Sequence, residues 1–303
     1  TGAGPRCVVW NPLAWSRSDL VRLPKDAFGT IPQALTDDAG RVSPVQVVGE
    51  NLLFIARDVP ALGCRVYRPT EQAATSDLAV EGETTLRNAL LRFRVHPASG
   101  AIETFYDLEH GRPVDTMSGW RGVERKEVAG MINRLQILWE QPHTMSAWNI
   151  GDITRVDNLI RGAQVELVEQ GPVRAVIAVT HKFLHSSITQ RYVLYAGLRR
   201  VDIETDLDWH EAGGKDVDAP MLRAIFKPRL GPGAKATFEV PFAGLERAAD
   251  GDEVPALRWA DISDEAYGLT LLNNAKYGHQ AHGTTLGLTL VRAPYEPDNL
   301  PDQ

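Results

Sequence analysis

In the stretch LRFRVH, Leu91, Phe93 and Val95 alternate with Arg92, Arg94 and His96. A period of two is the signature of a strand with one face in a core and the other in water. The same alternation returns in GPVRAVIAVTHKF, in SSITQRYVLYAG and in RRVDIETDLDWHE. In the last, Val201, Ile203, Thr205, Leu207 and Trp209 share one face, and Asp202, Glu204, Asp206, Asp208 and His210 share the other. These two neighbours predict an antiparallel hairpin turning around Gly197. Ile188, Tyr192 and Leu194 then lie on the same face as Val201, Ile203 and Leu207, with Arg191 toward Asp202 or Glu204. Helical periodicity is weak, with one short turn expected near Gly122–Gly130.

Earlier in the chain, CVVWNPLAWSRSDLVRL and PVQVVGENLLFIARDVPALGCRVYRP read as strands broken by Pro, Gly, Asp and Asn, a small β-sandwich over residues 1–69. A polar stretch, 70–85, is poor in large apolar residues and reads as a linker. Residues 86–303 then form a larger antiparallel unit, and strands this numerous pack as two sheets. The expected class is all-β throughout.

Composition adds bounds. The 303 residues carry 43% hydrophobic and 23% charged positions, with 26 Gly and 19 Pro to supply turns. A formal charge of −7 argues against nucleic acid or an anionic membrane as partner and leaves a neutral ligand such as a sugar open. Cys7 and Cys64 are too few for a disulfide framework, and no apolar run approaches the roughly 18 residues of a membrane span. A cytoplasmic setting is the expectation.

Chemistry-bearing motifs are sparse. The acidic row Asp202–Asp208 could hold a metal, but alternate charges on a wet strand face more commonly pair with neighbours, here Arg191, Arg199 and Arg200. His181 and His185 in HKFLH, and His279 and His282 in HQAH, have spacings that zinc sites use on helices or tight loops, yet neither pair brings a third ligand. Nucleophile elbows and phosphate loops are missing from the sequence. Sugar binding favours aromatic rings beside hydrogen-bonding groups. LWEQPHTMSAWNIGD offers Trp139, Glu140, Gln141, Trp148 and Asn149, and the loop after LLNN offers Lys276 and Tyr277.

The segments VVWNPLAWSRSDLV, VPALGCRVYRP, LRFRVHPASGAIETFYDLEHGRPV, GPVRAVIAV, SSITQRYVLYAGLRRVDIETDLDWHE, VPALRWADISDEAYGLTLLNNAKYG and LTLVRAP, in that order, resemble the C-terminal β-rich half of glycoside hydrolase family 38 α-mannosidases. The resemblance implies a small β-sandwich followed by a large galactose-mutarotase-like sandwich, in a retaining, zinc-dependent hydrolase of terminal α-mannosides. It puts the nucleophile and zinc ligands on an N-terminal catalytic domain, followed by a three-helix bundle, both upstream of Thr1. This chain is then expected to bind no metal, to be inactive alone, and to complete the cleft for a mannose-containing oligosaccharide. By the same resemblance Glu140, Gln141, Trp148, Asn149, Lys276, Tyr277, Arg292 and Asp298 form a wall of that cleft. Gln141, Ser146 and Asn149 stand where cytoplasmic-type members carry Asp. Two other readings remain: a non-catalytic carbohydrate-binding or structural module, and an aldose-epimerase-like isomerase.

Overall fold

The computed structural model describes residues 4–115 and 132–294, and their regular structure is entirely β-strand. The all-β expectation is borne out; the turn expected near Gly122–Gly130 lies outside the described residues. Among the described residues no helix is long and apolar enough to cross a membrane. The chain gathers into two compact units, each built from separated segments: Thr1–Arg92, Glu166–Ala178 and Arg191–Glu204 in one, Phe93–Val165, Val179–Gln190 and Thr205–Gln303 in the other.

The first unit contains two small sheets. One runs Cys7–Asn11, Gly63–Thr70, Ala34–Asp37, Val42–Pro44; the other runs Arg17–Pro24, Asn51–Val59, Gln46–Val48. The run LLFIA does not alternate because both its faces are covered. Leu52, Phe54 and Ala56 pack with Phe28, Leu35 and Tyr67, while Leu53 and Ile55 pack with Val173, Val176, Val193, Tyr195 and Leu198. Asn88 is wholly buried and bonds four backbone groups: its Nδ2 donates to Tyr195 O and Leu198 O, both at 2.8 Å, and its Oδ1 accepts from Leu90 N at 2.9 Å and Leu91 N at 2.7 Å. Within the stretch read as a linker, residues 71–78 carry no strand, and Ala79–Glu81 pairs with Thr85–Arg87 as a small hairpin.

In the second unit a large antiparallel sheet is ordered Asp250–Pro255, Gly278–His282, Thr285–Arg292, Ala219–Phe226, Ile132–Glu140, Ile102–Asp107, with Ile153–Asn158 also paired to Ile132–Glu140. A second sheet in this unit runs Ala243–Arg247, Lys235–Val240, Trp259–Ser263, Gly268–Leu272. The predicted hairpin is present as neighbouring strands Ser186–Tyr195 and Val201–Asp208 of a four-stranded sheet, with Gly197 at φ +62° in its turn. Gln190 Nε2 donates to Thr205 Oγ1 at 3.2 Å, so the even positions of the first strand share a face with the odd positions of the second, as the pattern requires. The acidic row is paired rather than metal-binding in character: Arg200 Nε lies 3.0 Å from Asp202, Arg22 reaches Glu204 at 4.0 Å and His210 sits 2.8 Å from Asp208.

The turn PASG closes on Gly100, whose φ of +66° is a left-handed conformation costly to residues with a Cβ. A Cβ there would sit 2.2 Å from Val179 Cγ1. Gly100→Ala is therefore expected to lower stability by about 2–4 kcal/mol, combining backbone strain with overpacking. Thermal melts check it, and a shift of under 1 °C would mean that the turn rearranges freely.

Candidate functional site: two loops at one end of the large sheet

Strand register brings the site residues toward a common end. Glu140 pairs with Ala219, Met221 with Arg292 and Gly278 with Pro255, so the loops 141–152 and 273–277 and the chain after Arg292 all emerge at the same end of the sheet. Two strands, Thr285–Arg292 and Ala219–Phe226, separate the loop-bearing strands, a lateral spacing of roughly 14 Å.

The first loop is held by a buried carboxylate. Glu140 is 1% exposed, next to a bulge between Trp139 and Glu140. Arg292 grips it in two-pronged fashion, Nε to Oε2 at 2.8 Å and Nη2 to Oε1 at 2.7 Å, and Gly151 N donates to Oε1 at 2.7 Å. His143 Nδ1 accepts from Met145 N at 3.3 Å, which leaves the proton on Nε2 to be donated to Glu140 Oε1 at 2.9 Å. Burial alone would raise the Glu140 carboxyl, but the bonds from Arg292, Gly151 and His143 and the Arg292 charge outweigh it and hold it below the ordinary carboxylate value. The remaining reach of Arg292 goes to Asn149 O at 2.7 Å. Both ends of the loop are thereby tied to one ion pair. Gly151 is required by that closure, because a Cβ would lie 2.5 Å from the His143 ring.

What the loop presents outward is different in character. Trp148 is 67% exposed, Gln141 and Asn149 are exposed, and Gln141 donates its backbone N–H to Asp152 O at 2.9 Å. Trp139, by contrast, packs against Phe183 at 6.0 Å and donates its Nε1–H to Asp157 at 2.8 Å. Of the two tryptophans, Trp148 is the one turned to solvent.

The second loop is built around Asn273 and His279. Asn273 Nδ2 donates to Leu257 O at 3.0 Å and lies 3.3 Å from His279 Nε2, which accepts; His279 Nδ1–H then donates to Tyr277 O at 3.3 Å. Burial depresses the His279 pKa, in keeping with a neutral ring. Lys276 N donates to Asn273 Oδ1 at 2.8 Å, and Tyr277 stands 58% exposed. His279 and His282 belong to one strand at odd separation, His279 buried and His282 exposed, so they face opposite ways. Asp298 lies outside the described residues.

A polar group on the large sheet escaped sequence reading. Arg223 is buried, bonds Glu253 and donates to Gln280 Oε1 at 2.9 Å, while Thr289 Oγ1 donates to Glu253 at 2.8 Å. A single arginine inside the apolar run APMLRAIF was the available signal, since a charge there needs a buried partner.

Among the described residues Asp107, Glu109 and His110 alone group closely enough to suggest a metal. In this structure they bond one another and Tyr267. Asp107 is 0% exposed, and its carboxylate already accepts from His110 N at 3.1 Å, His110 Nδ1 at 3.0 Å and the Tyr267 hydroxyl at 2.9 Å. The group closes a strand end.

Comparison with known proteins agrees with this architecture. The family described as "Glycosyl hydrolases family 38 C-terminal domain" matches residues 86–300. Alpha-mannosidase 2C1 of Mus musculus is 26% identical over 319 residues, covering 99% of this chain and 27% of that protein. Alpha-mannosidase G of Dictyostelium discoideum is 30% identical over 220 residues, covering 68% of this chain and 19% of its own. The chain thus spans about a quarter or less of the length of the curated relatives it matches. An α-mannosidase from Enterococcus faecalis V583 shares the fold, with a TM-score of 0.67 at 12% identity over 95% of this chain and 40% of the other.

Proposed function

The chain belongs to the family of glycosyl hydrolase family 38 C-terminal domains, and we propose that it serves as the C-terminal part of a retaining α-mannosidase that hydrolyses terminal α-mannosides. In this reading the chain supplies a wall of the sugar cleft and no bond-breaking group. The observation that carries it is the Glu140–Arg292 clamp, which fixes a loop presenting Trp148, Gln141 and Asn149 at the same end of the sheet as Lys276 and Tyr277. An exposed indole suits the C–H face of a pyranose, and amide and ammonium groups suit its hydroxyls. Glu140 and Arg292 act by holding that wall, and Asp298, six residues beyond Arg292, belongs to the same proposal. Catalytic carboxylates and any zinc belong to polypeptide outside this chain, a reading supported by its match to the C-terminal domain of the family.

The proposed division along the sequence is residues 1–69, a linker over 70–85, and 86–303, supported by a family match that starts at residue 86; the compact units differ from it in that Glu166–Ala178 and Arg191–Glu204 gather with the first. A cytoplasmic setting is supported by two free thiols, Cys7 and Cys64, on adjacent strands but out of register with each other.

In the full-length protein, Trp148→Ala and Tyr277→Ala are each expected to lower kcat/KM for an α-mannoside about tenfold, while stability stays within about 0.5 kcal/mol of wild type. Kinetics paired with denaturant melts make the check. Unchanged kcat/KM in both variants would remove the two loops from the cleft. The 303-residue chain alone is expected to give no turnover of an aryl α-mannoside.

A further inference from the structure

Among the described residues, one edge of the first unit's sandwich is left open. Cys7–Asn11 is an outer strand of the four-stranded sheet, paired with Gly63–Thr70, and Arg17–Pro24 is an outer strand of the three-stranded sheet, paired with Asn51–Val59. Between these edges a cleft of about 180 Å³ reaches the sandwich's own core, with Val9, Val21, Ala56 and Val59 in its lining and Arg17 and Asp19 beside them. The two charges are spent on their neighbours: Arg17 Nη2 lies 2.8 Å from Asp19 Oδ2, and Arg200 Nη2 lies 2.9 Å from Asp19 Oδ1. An ionic ligand therefore finds little unbalanced charge here. Alongside, Trp10 is 71% exposed and Trp15 61%, with Val8 and Leu62 also exposed.

Soluble proteins guard such edges with lysine, proline or a bulge, because unpaired strand backbone invites association. The strand CVVWN has none of these and turns Val8 and Trp10 outward in regular alternation. Exposed apolar surface of this kind, continuous with an apolar cleft, marks an interaction surface.

We infer that this edge is the seat of further polypeptide of the full-length protein, an extended apolar segment that pairs with Cys7–Asn11, sets an aliphatic side chain into the cleft and covers Trp10 and Trp15. This rests on the reading of the chain as part of a longer α-mannosidase, and is supported by its spanning only 27% of the mouse relative. A neutral, apolar segment is the occupant that an unguarded strand edge and a self-neutralised rim select.

The test is hydroxyl-radical footprinting of the full-length protein, with α-mannoside turnover measured on the same sample. Trp10 and Trp15 are expected to be oxidised at least tenfold more slowly than Phe242, an exposed residue of intrinsically lower reactivity. Oxidation of either tryptophan as fast as Phe242 overturns the inference, and protection that vanishes on dilution reassigns the edge to a second copy of the chain. Turnover with oxidised tryptophans refutes the docking and spares the proposed function. Protected tryptophans without turnover do the reverse.

Discussion

Glu140→Ala is expected to destabilise the protein by about 3–5 kcal/mol, the cost of removing one partner from a buried ion pair and leaving the other charge without compensation. The carboxylate takes two bonds from Arg292, one from Gly151 and one from His143, so its loss also frees both ends of the loop carrying Trp148. Replacing both partners should cost less than the sum of the single changes, and a Glu140→Ala, Arg292→Met double-mutant cycle reads the coupling directly. The pH dependence has a definite sign. Because the folded-state pKa of Glu140 is depressed, its contribution is fully present above the unfolded value near 4.5 and is lost as pH falls through the lower folded value. Glu140→Gln should therefore flatten part of the acid limb below about pH 4.5. Urea melts at pH 7 and pH 3 measure both effects; a loss under 1 kcal/mol at pH 7 would show that the pair is dispensable and the loop is held by other means.

Asn88→Ala should be comparably damaging, on the order of 3–5 kcal/mol, since it strands two carbonyls and two N–H groups in a place water does not reach. The isosteric change is the sharper test. Asn88→Asp keeps the acceptor but sets a second oxygen against Tyr195 O and Leu198 O, so it is expected to be at least as harmful as Ala despite its shape. If Asp were tolerated better than Ala at neutral pH, packing rather than the amide's donors would account for the site.

Strand identity was the part of the fold most readable in the sequence. Alternation in SSITQRYVLYAG and RRVDIETDLDWHE predicted their adjacency and shared face, because a half-buried strand writes its environment into every second residue. Where both faces are covered, as in LLFIA, that signal vanishes and only length and flanking breakers remain. The site was half readable for a related reason. Glu140 and Arg292 could be singled out separately, but 152 positions divide them, and their pairing follows from a strand order that no local pattern encodes. Asn88 and Arg223 were missed because each is a lone polar residue whose role is set by carbonyls and carboxylates that arrive from far along the chain.

The first unit's dependence on Glu166–Ala178 and Arg191–Glu204 bears on its biogenesis. Its opening segment ends at Arg92, so its second core, with Leu53 and Ile55 on one side, is incomplete until Val193, Tyr195 and Leu198 have left the ribosome. At 5–20 residues per second, the intervening stretch of roughly 110 residues takes about 5–20 s to synthesise. During that wait the apolar strand LLFIA has one face without its partners, a natural binding window for a holding chaperone, and nascent chains arrested before Arg191 should remain protease-sensitive within Asn51–Val59.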